Sequence, residues 1–240
     1  MKCANHLKQI GLAFHSHHDT LNLFPDGGEG YYSSRTMSGG TPATAPDQHW
    51  GWMYQILPYI EQDNLYKHPD QNYIRRTPLP IYFCPSRRQP MVLGGSRAMN
   101  DYAGNGGIYT SWGWAWGEGV SGVVVRRNRY APVTLQSLTN SDGTANTIVA
   151  GEKRLDLLSM GSFQCDDNEG WTSGWDWDII RWGNNPPQPD RNATDQCEVL
   201  FGSSHAGGVN FVYADGSVHF LAFSISQPAF YSLCHIRDGQ

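Results

Sequence analysis

Residues 209–221, VNFVYADGSVHFL, read as two β-type runs, Val209 to Ala214 and Ser217 to Leu221, meeting across Asp215-Gly216. Asp-Gly between such runs is the favoured two-residue hairpin turn, because both central positions need φ > 0. The stretch therefore predicts an antiparallel hairpin near the C-terminal end, followed by a short helix from Pro228 to Cys234. At the other end, Cys3, Leu7, Ile10, Phe14 and then His17 or His18 recur every three to four residues, with Lys2, Asn5, Lys8 and Gln9 on the other face. That is the single apolar stripe of an amphipathic helix, and Leu23-Phe24-Pro25-Asp26-Gly27-Gly28 ends it. Together the two ends imply an α+β fold in one domain, residues 1–240. The Leu7/Ile10/Phe14 stripe is expected to lie on an antiparallel β-sheet that includes the hairpin, with long loop insertions elsewhere. The helix starts without an N-cap and with its stripe already running, which suggests the C-terminal part of a longer helix.

Between the ends the signals are shorter. Residues 26–48 read as loop. Trp50 to Lys67 has helical spacing at Met53, Ile56 or Leu57, Ile60 and Leu65, with Pro58 placed to kink or split it. Leu79 to Cys84 reads as a strand stopped by Pro85, and Val120 to Arg127 as another. Leu135 to Leu138 reads as a helical turn, and Ser141-Asp142-Gly143-Thr144 as a turn into the strand Thr147 to Ala150. Residues 94–119 are Gly-rich and residues 161–198 loop-rich. No repeat and no domain boundary stands out.

Composition narrows the function classes. The 240 residues carry 17 Lys+Arg against 22 Asp+Glu, a formal net charge of −5, and charged residues make up only 16 %. Mild acidity without a basic cluster argues against nucleic acid or an anionic membrane surface as partner. No run approaches the ~18 apolar residues of a membrane span, and no signal peptide is visible. With 27 Gly and 14 Pro, much of the chain must be turns and loops. Five cysteines, Cys3, Cys84, Cys165, Cys197 and Cys234, are widely spaced without a C-x-x-C pair, which argues against a structural zinc site. One or two disulfides suit an exported chain, with at least one thiol left over. Spacing does not give the pairing; the loop-like setting of Cys165 and Cys197 makes them the candidate pair.

Four constellations invite chemistry. His15, His17, His18 and Asp19 crowd a helix end, where His15 and His18 share a face. The zinc-hydrolase pattern H-E-x-x-H needs a Glu that is missing here, so capping against the helix dipole is the favoured reading. Asp166, Asp167, Glu169, Asp176 and Asp178 offer clustered carboxylates around Gly170, a donor type for a hard cation such as calcium, although the spacing departs from the helix–loop–helix calcium pattern. Trp112, Trp114, Trp116, Trp171 and Trp175 suffice for a sugar-stacking surface, or else pack loops onto the sheet. His205 with Ser203, Ser204 and Asp215 lacks a nucleophile elbow, and no phosphate loop is convincing. The residues call for no cofactor unless it is a calcium ion at the carboxylates, and for no ligand unless it is a glycan or other solute.

The opening CANHLKQIGLAFHSHHDTLNLFP resembles the soluble part of a planctomycete family that shows C-x-N-[NH]-L-K-Q-I-G-L-A-[LF]-H-x-[YH]-H-D. The likeness continues through Ile56 to Gln62, Phe83 to Ser86, Asp101 to Asn105, Asp142 to Ile148, Asp166 to Trp171 and Gly174 to Trp182. It ends on His205, nine residues, then Asp215-Gly216. The family carries a domain-of-unknown-function label and the catalogue name of bacterial solute-binding protein family ten. The resemblance makes His15, His18, Asp19, His205, Asp215 and Gly216 family-motif residues. It implies a type IV pilin-like N-terminus whose hydrophobic anchor half is absent from this sequence. It also implies a cell-surface or periplasmic location, anchored in the inner membrane before assembly. The expected function is a non-enzymatic pilin or pseudopilin-like subunit, partnered by other such subunits or secretion components. The membrane would be touched only through the missing segment. The alternative is a surface glycan- or solute-binding module using the Trp-rich loops.

Overall fold

The computed structural model describes residues 2–109, 121–194, 197 and 199–237. Helix α1 (Lys2–Leu21) buries Cys3, Leu7, Ile10, Gly11, Ala13, Phe14 and His17, the predicted stripe with two small residues added. Asn22 closes it at φ +58°, its N–H donating to the His18 carbonyl at 2.7 Å. Asn is tolerated in that left-handed closing position because its short polar side chain bonds locally.

The sheet has five strands: β1 (Tyr102–Asn105), β2 (Ile148–Glu152), β3 (Ile180–Arg181), β4 (Gly208–Tyr213) and β5 (Val218–Ala222). Their order is β5-β4-β2-β1-β3, with every pairing antiparallel except β1 with β3. The predicted hairpin is β4–β5, with Phe211 opposite His219 and Val212 opposite Val218. Its turn differs from the two-residue expectation. Tyr213 N–H donates to the Ser217 carbonyl and Gly216 N–H to the Tyr213 carbonyl, both at 2.9 Å. Only Gly216 has positive φ, +79°. This is a three-residue loop, a tight turn finished by a left-handed glycine, and it relieves Asp215 of a positive φ.

Strand alternation sends β4 side chains to two cores. Val212 joins Leu7, Ile10 and Phe14 beneath α1, while Val209, Phe211 and Tyr213 face the opposite side. Helix and strand touch at Gly11: a methyl there would lie 2.5 Å from Val212 Cγ2. The loops are built from short pieces: α2 (Trp52–Gln55), α3 (Asp63–Tyr66), α4 (Gln71–Arg76) and α5 (Leu135–Thr139). A 3-10 turn over Leu57–Tyr59 separates α2 from α3, so Pro58 splits the Trp50–Lys67 segment as expected. The last helix, α6 (Gln227–Cys234), covers the second core with Phe230 and Cys234.

Two strand expectations fail. Leu79 to Cys84 contains a 3-10 turn over Pro80–Tyr82, because Pro80 suits a first helical position and cannot donate to a ladder. Within 120–127 the described residues form no strand. Val123, Val124 and Val125 are buried from a loop that bonds Gly27 and Asn105 instead. Cys165 and Cys197 are disulfide-bonded, as their loop setting suggested, with Cα atoms 5.5 Å apart. A second bond joins Cys3 to Cys84, Cα atoms 5.1 Å apart across 81 positions of sequence. Cys234 is a buried free thiol. Among the described residues no helix is long and apolar enough to cross a membrane.

Candidate functional site

Four elements converge below the first turn of α1. Cys3 comes from that turn, Cys84 from the segment after the Pro80–Tyr82 turn, Glu152 from the end of β2, and His205 from the loop entering β4. Their ligand-type atoms all lie within 4.8 Å of one another, the only such group of three or more His, Cys, Asp or Glu donors among the described residues. His205 Nε2 sits 2.9 Å from Glu152 Oε1 and 3.6 Å from Cys84 Sγ. The remaining Glu152 oxygen accepts from Asn210 N–H at 2.9 Å and from the Asn210 side-chain amide at 3.0 Å. Cys84 N–H donates to Asp101 Oδ2 at 2.8 Å, and His205 N–H to Ser203 Oγ at 3.0 Å. Glu152, Cys84 and His205 are therefore each fixed by a backbone or side-chain bond of their own. Cys3, Cys84 and Glu152 are buried, and the imidazole keeps 19 % of its surface exposed. The hydrogen bond to Glu152 raises the His205 pKa, against burial, which lowers it. A disulfide thus lies against a carboxylate-held imidazole that reaches solvent.

Beside this group runs a buried ion network. Lys153, the residue after Glu152, donates to Asp167 Oδ1 at 2.9 Å and to the Asp166 and Asp178 carbonyls at 3.0 and 3.2 Å, which uses its three protons. Arg88 bonds Asp167 at 2.5 and 2.9 Å and Asp101 at 2.8 Å. Arg87 grips Asp190 at 2.8 and 3.1 Å, and Arg181 reaches Asp166 at 2.8 Å. Burial alone would raise Asp167, but Arg88 and Lys153 outweigh it and hold the carboxyl well below the usual range.

The five candidate calcium ligands are dispersed through these bonds. Asp166 and Asp167 face cations, and Glu169 pairs with Arg97 at 3.1 Å. Asp178 Oδ1 accepts the N–H groups of Asn168, Glu169 and Gly170 at 2.7–3.0 Å. Burial, then the neighbouring Asp178, pushes Asp176 well above the carboxylate range. Asp176 Oδ1 accepts the Asp178 N–H at 2.9 Å, and Asp178 Oδ2 is buried without a hydrogen-bond partner among the described residues. Of the two roles open to Trp171 and Trp175, a stacking surface or packing of loops onto the sheet, the structure shows the second: they are core residues, 0 % and 1 % exposed. Trp171 Nε1–H donates to the Thr77 carbonyl at 3.0 Å, and Trp175 meets Trp182 edge to face. Trp112, Trp114 and Trp116 lie outside the described residues.

The histidine cluster on α1 is also divided. His18 Nε2 accepts the Leu135 N–H at 3.2 Å at the start of α5, with Asp19 at 4.0 Å from its Nδ1. His15 rests edge-on against Phe24. His17 is buried, its Nδ1 2.9 Å from the Leu23 carbonyl. Asp215 Oδ1 accepts from Ser217 N–H and Oγ–H at 2.8 and 2.6 Å, so it serves the turn and forms no triad with His205. The Gly216 carbonyl accepts from Lys8 Nζ at 2.7 Å, docking the turn on α1. Of the family-motif residues, His205 alone enters the four-residue group. Reasoning from the sequence missed Cys3, Cys84 and Glu152 because each looks structural in its own segment. The one local signal was Glu152 closing a strand otherwise buried throughout, Ile148 to Gly151.

The family described as a protein of unknown function, DUF1559 (SBP_bac_10), matches residues 1–227, and the chain belongs to that family. No curated protein and no solved structure matches.

Proposed function

We propose that this chain is the globular head of a pilin- or pseudopilin-like subunit, displayed at the cell surface or in the periplasm, that assembles with like subunits or secretion components and catalyses no reaction. The observation that carries the reading is α1 lying along an antiparallel sheet with the β4–β5 turn docked on its outer edge through Lys8. A helix seated this way is a rigid handle, so a pull or an assembly contact at α1 reaches the whole sheet. Two disulfides suit an oxidising compartment. Leu12, 52 % exposed on the free side of α1, is an apolar contact point for a neighbouring subunit. The test is mechanical shearing of cells that make the native protein, followed by sedimentation and immunogold labelling. The chain should appear in the sheared high-mass fraction, and Leu12→Glu should empty that fraction while the soluble domain keeps its circular dichroism. Recovery of the wild-type chain solely as a soluble monomer would overturn the reading.

A further inference from the structure

We propose that, when its Cys3–Cys84 bond is reduced, the chain binds one divalent transition-metal ion of the zinc type through Cys3 Sγ, Cys84 Sγ, His205 Nε2 and a Glu152 carboxylate oxygen. The inference is independent of the pilin-like reading. It rests on the gathering of these four donors from four separate elements within 4.8 Å.

The donor chemistry selects the ion. Two thiolates, an imidazole and a carboxylate suit zinc and its borderline neighbours, whereas calcium and magnesium want oxygen alone. Four protein ligands close a tetrahedron, the arrangement of a structural site. The spacing agrees with that shape. With metal–sulfur bonds of ~2.3 Å and metal–nitrogen bonds of ~2.1 Å, a tetrahedral S···N edge is ~3.6 Å. The Cys84 Sγ to His205 Nε2 distance is 3.6 Å. The two sulfurs must part to roughly 3.8 Å by rotation of their side chains, and His205 Nε2 and Glu152 Oε1 must open from 2.9 Å to about 3.4 Å.

Outer partners support the ligands, as metal sites require. Asn210 holds the Glu152 oxygen that faces away from His205, and Asp101 holds the Cys84 amide. A divalent ion with two thiolates, one carboxylate and a neutral imidazole carries a net charge of −1. Arg87, buried and paired with Asp101 and Asp190, also acts electrostatically on both Glu152 and His205. The partly exposed imidazole gives the ion a way in. The Cys165–Cys197 bond has no such surroundings among the described residues.

The chemistry balances with a dithiol as reductant. The dithiol gives two electrons and two protons to the Cys3–Cys84 bond, which breaks into two thiols, and itself closes to a disulfide. The metal ion then displaces the two thiol protons to solvent and forms two metal–sulfur bonds. A small disulfide as oxidant reverses this: it takes two electrons from the two thiolates and two protons from solvent to become a dithiol, the Cys3–Cys84 bond closes, and the ion is released.

The test uses the whole chain, reduced with excess dithiothreitol, desalted without oxygen and titrated with cobalt(II), then zinc. One equivalent of cobalt should give a thiolate-to-cobalt charge-transfer band and the visible bands of a tetrahedral site, both erased by zinc. The oxidised chain should give neither. Cys84→Ser should lower the charge-transfer band, and His205→Ala should weaken binding by at least ~10–100-fold, the loss that even an outer partner causes. Cys234→Ser should change nothing. Circular dichroism accompanies each titration. If the reduced chain unfolds, refolding by one equivalent of zinc supports the site, and failure to refold overturns it. A folded reduced chain without the bands, or bands unchanged in His205→Ala, also overturns it.

Discussion

Glu152 and Lys153 are neighbours at the end of β2, yet they lead into two polar clusters of opposite make-up. From Lys153 the contacts run to Asp167, Arg88, Asp101, Arg87 and Asp190, so each buried charge meets an opposite one. From Glu152 they run to His205, Cys84 and Cys3, a carboxylate among soft donors. The first cluster has spent its lone pairs and protons on itself and ties the long loops to the sheet. The second still holds donor atoms that a metal or a reductant can use. A buried carboxylate is therefore read by its partners: cations mark a fastening, sulfur and imidazole mark a chemistry.

The strongest way to break this comparison is to remove a charge from the fastened side. Asp167→Ala leaves Lys153 and Arg88 buried without their shared counter-charge, and should cost about 3–5 kcal/mol. Glu152→Gln keeps the shape and most hydrogen bonds, and should cost about 1–3 kcal/mol. Urea unfolding of the two oxidised variants measures both. Equal losses would erase the distinction between the clusters.

The fold was legible in the sequence where a period repeated. The α1 stripe, the β4–β5 hairpin and the Pro58 break each follow from a pattern within about twenty residues. The Cys165–Cys197 pair followed from loop context alone. The four-residue group was illegible for a physical reason: its members are joined by the topology, through the β2–β4 pairing and the seating of α1, and not by spacing along the chain. The absence of a C-x-x-C pair excludes a local cysteine motif and says nothing of donors brought together by topology. The Trp-rich loops left two readings open, and composition could not choose between them; Trp171 and Trp175 fill the interior.

The seating of α1 brings Cys3 to the site, so disturbing that seat sharpens the comparison. Gly11→Ala puts a methyl 2.5 Å from Val212 Cγ2 and should destabilise by about 1–3 kcal/mol through overpacking. In a Val212→Ala background the penalty should shrink, because the two residues share the contact. A double-mutant cycle in thermal unfolding checks it, and additive losses would place the contact elsewhere.

A smaller effect is expected at the turn docked on the same helix. Gly216 stands at φ +79°, so Gly216→Ala should cost about 1 kcal/mol, while a substitution at Gly39, outside this seat, should leave the α1 contacts untouched. An unchanged melting temperature for Gly216→Ala would show that the turn relaxes freely.

A pH dependence is expected at the far end of α1. Burial, against the Leu23 carbonyl bond, lowers His17 from 6.5 to about 4. The folded state favours the neutral ring, so the contribution is whole above 6.5 and is lost as pH falls toward about 4. His17→Gln should flatten urea midpoints across that window. An equally steep fall in the variant would assign the dependence to other groups.

The division between the two sides of β2 is tested most directly by X-ray diffraction of the reduced, zinc-treated chain at the zinc absorption edge. The account predicts one anomalous peak among Cys3, Cys84, Glu152 and His205, with Lys153 still bonded to Asp167. A peak among the carboxylates of residues 166–178, or none beside two reduced sulfurs, would contradict it.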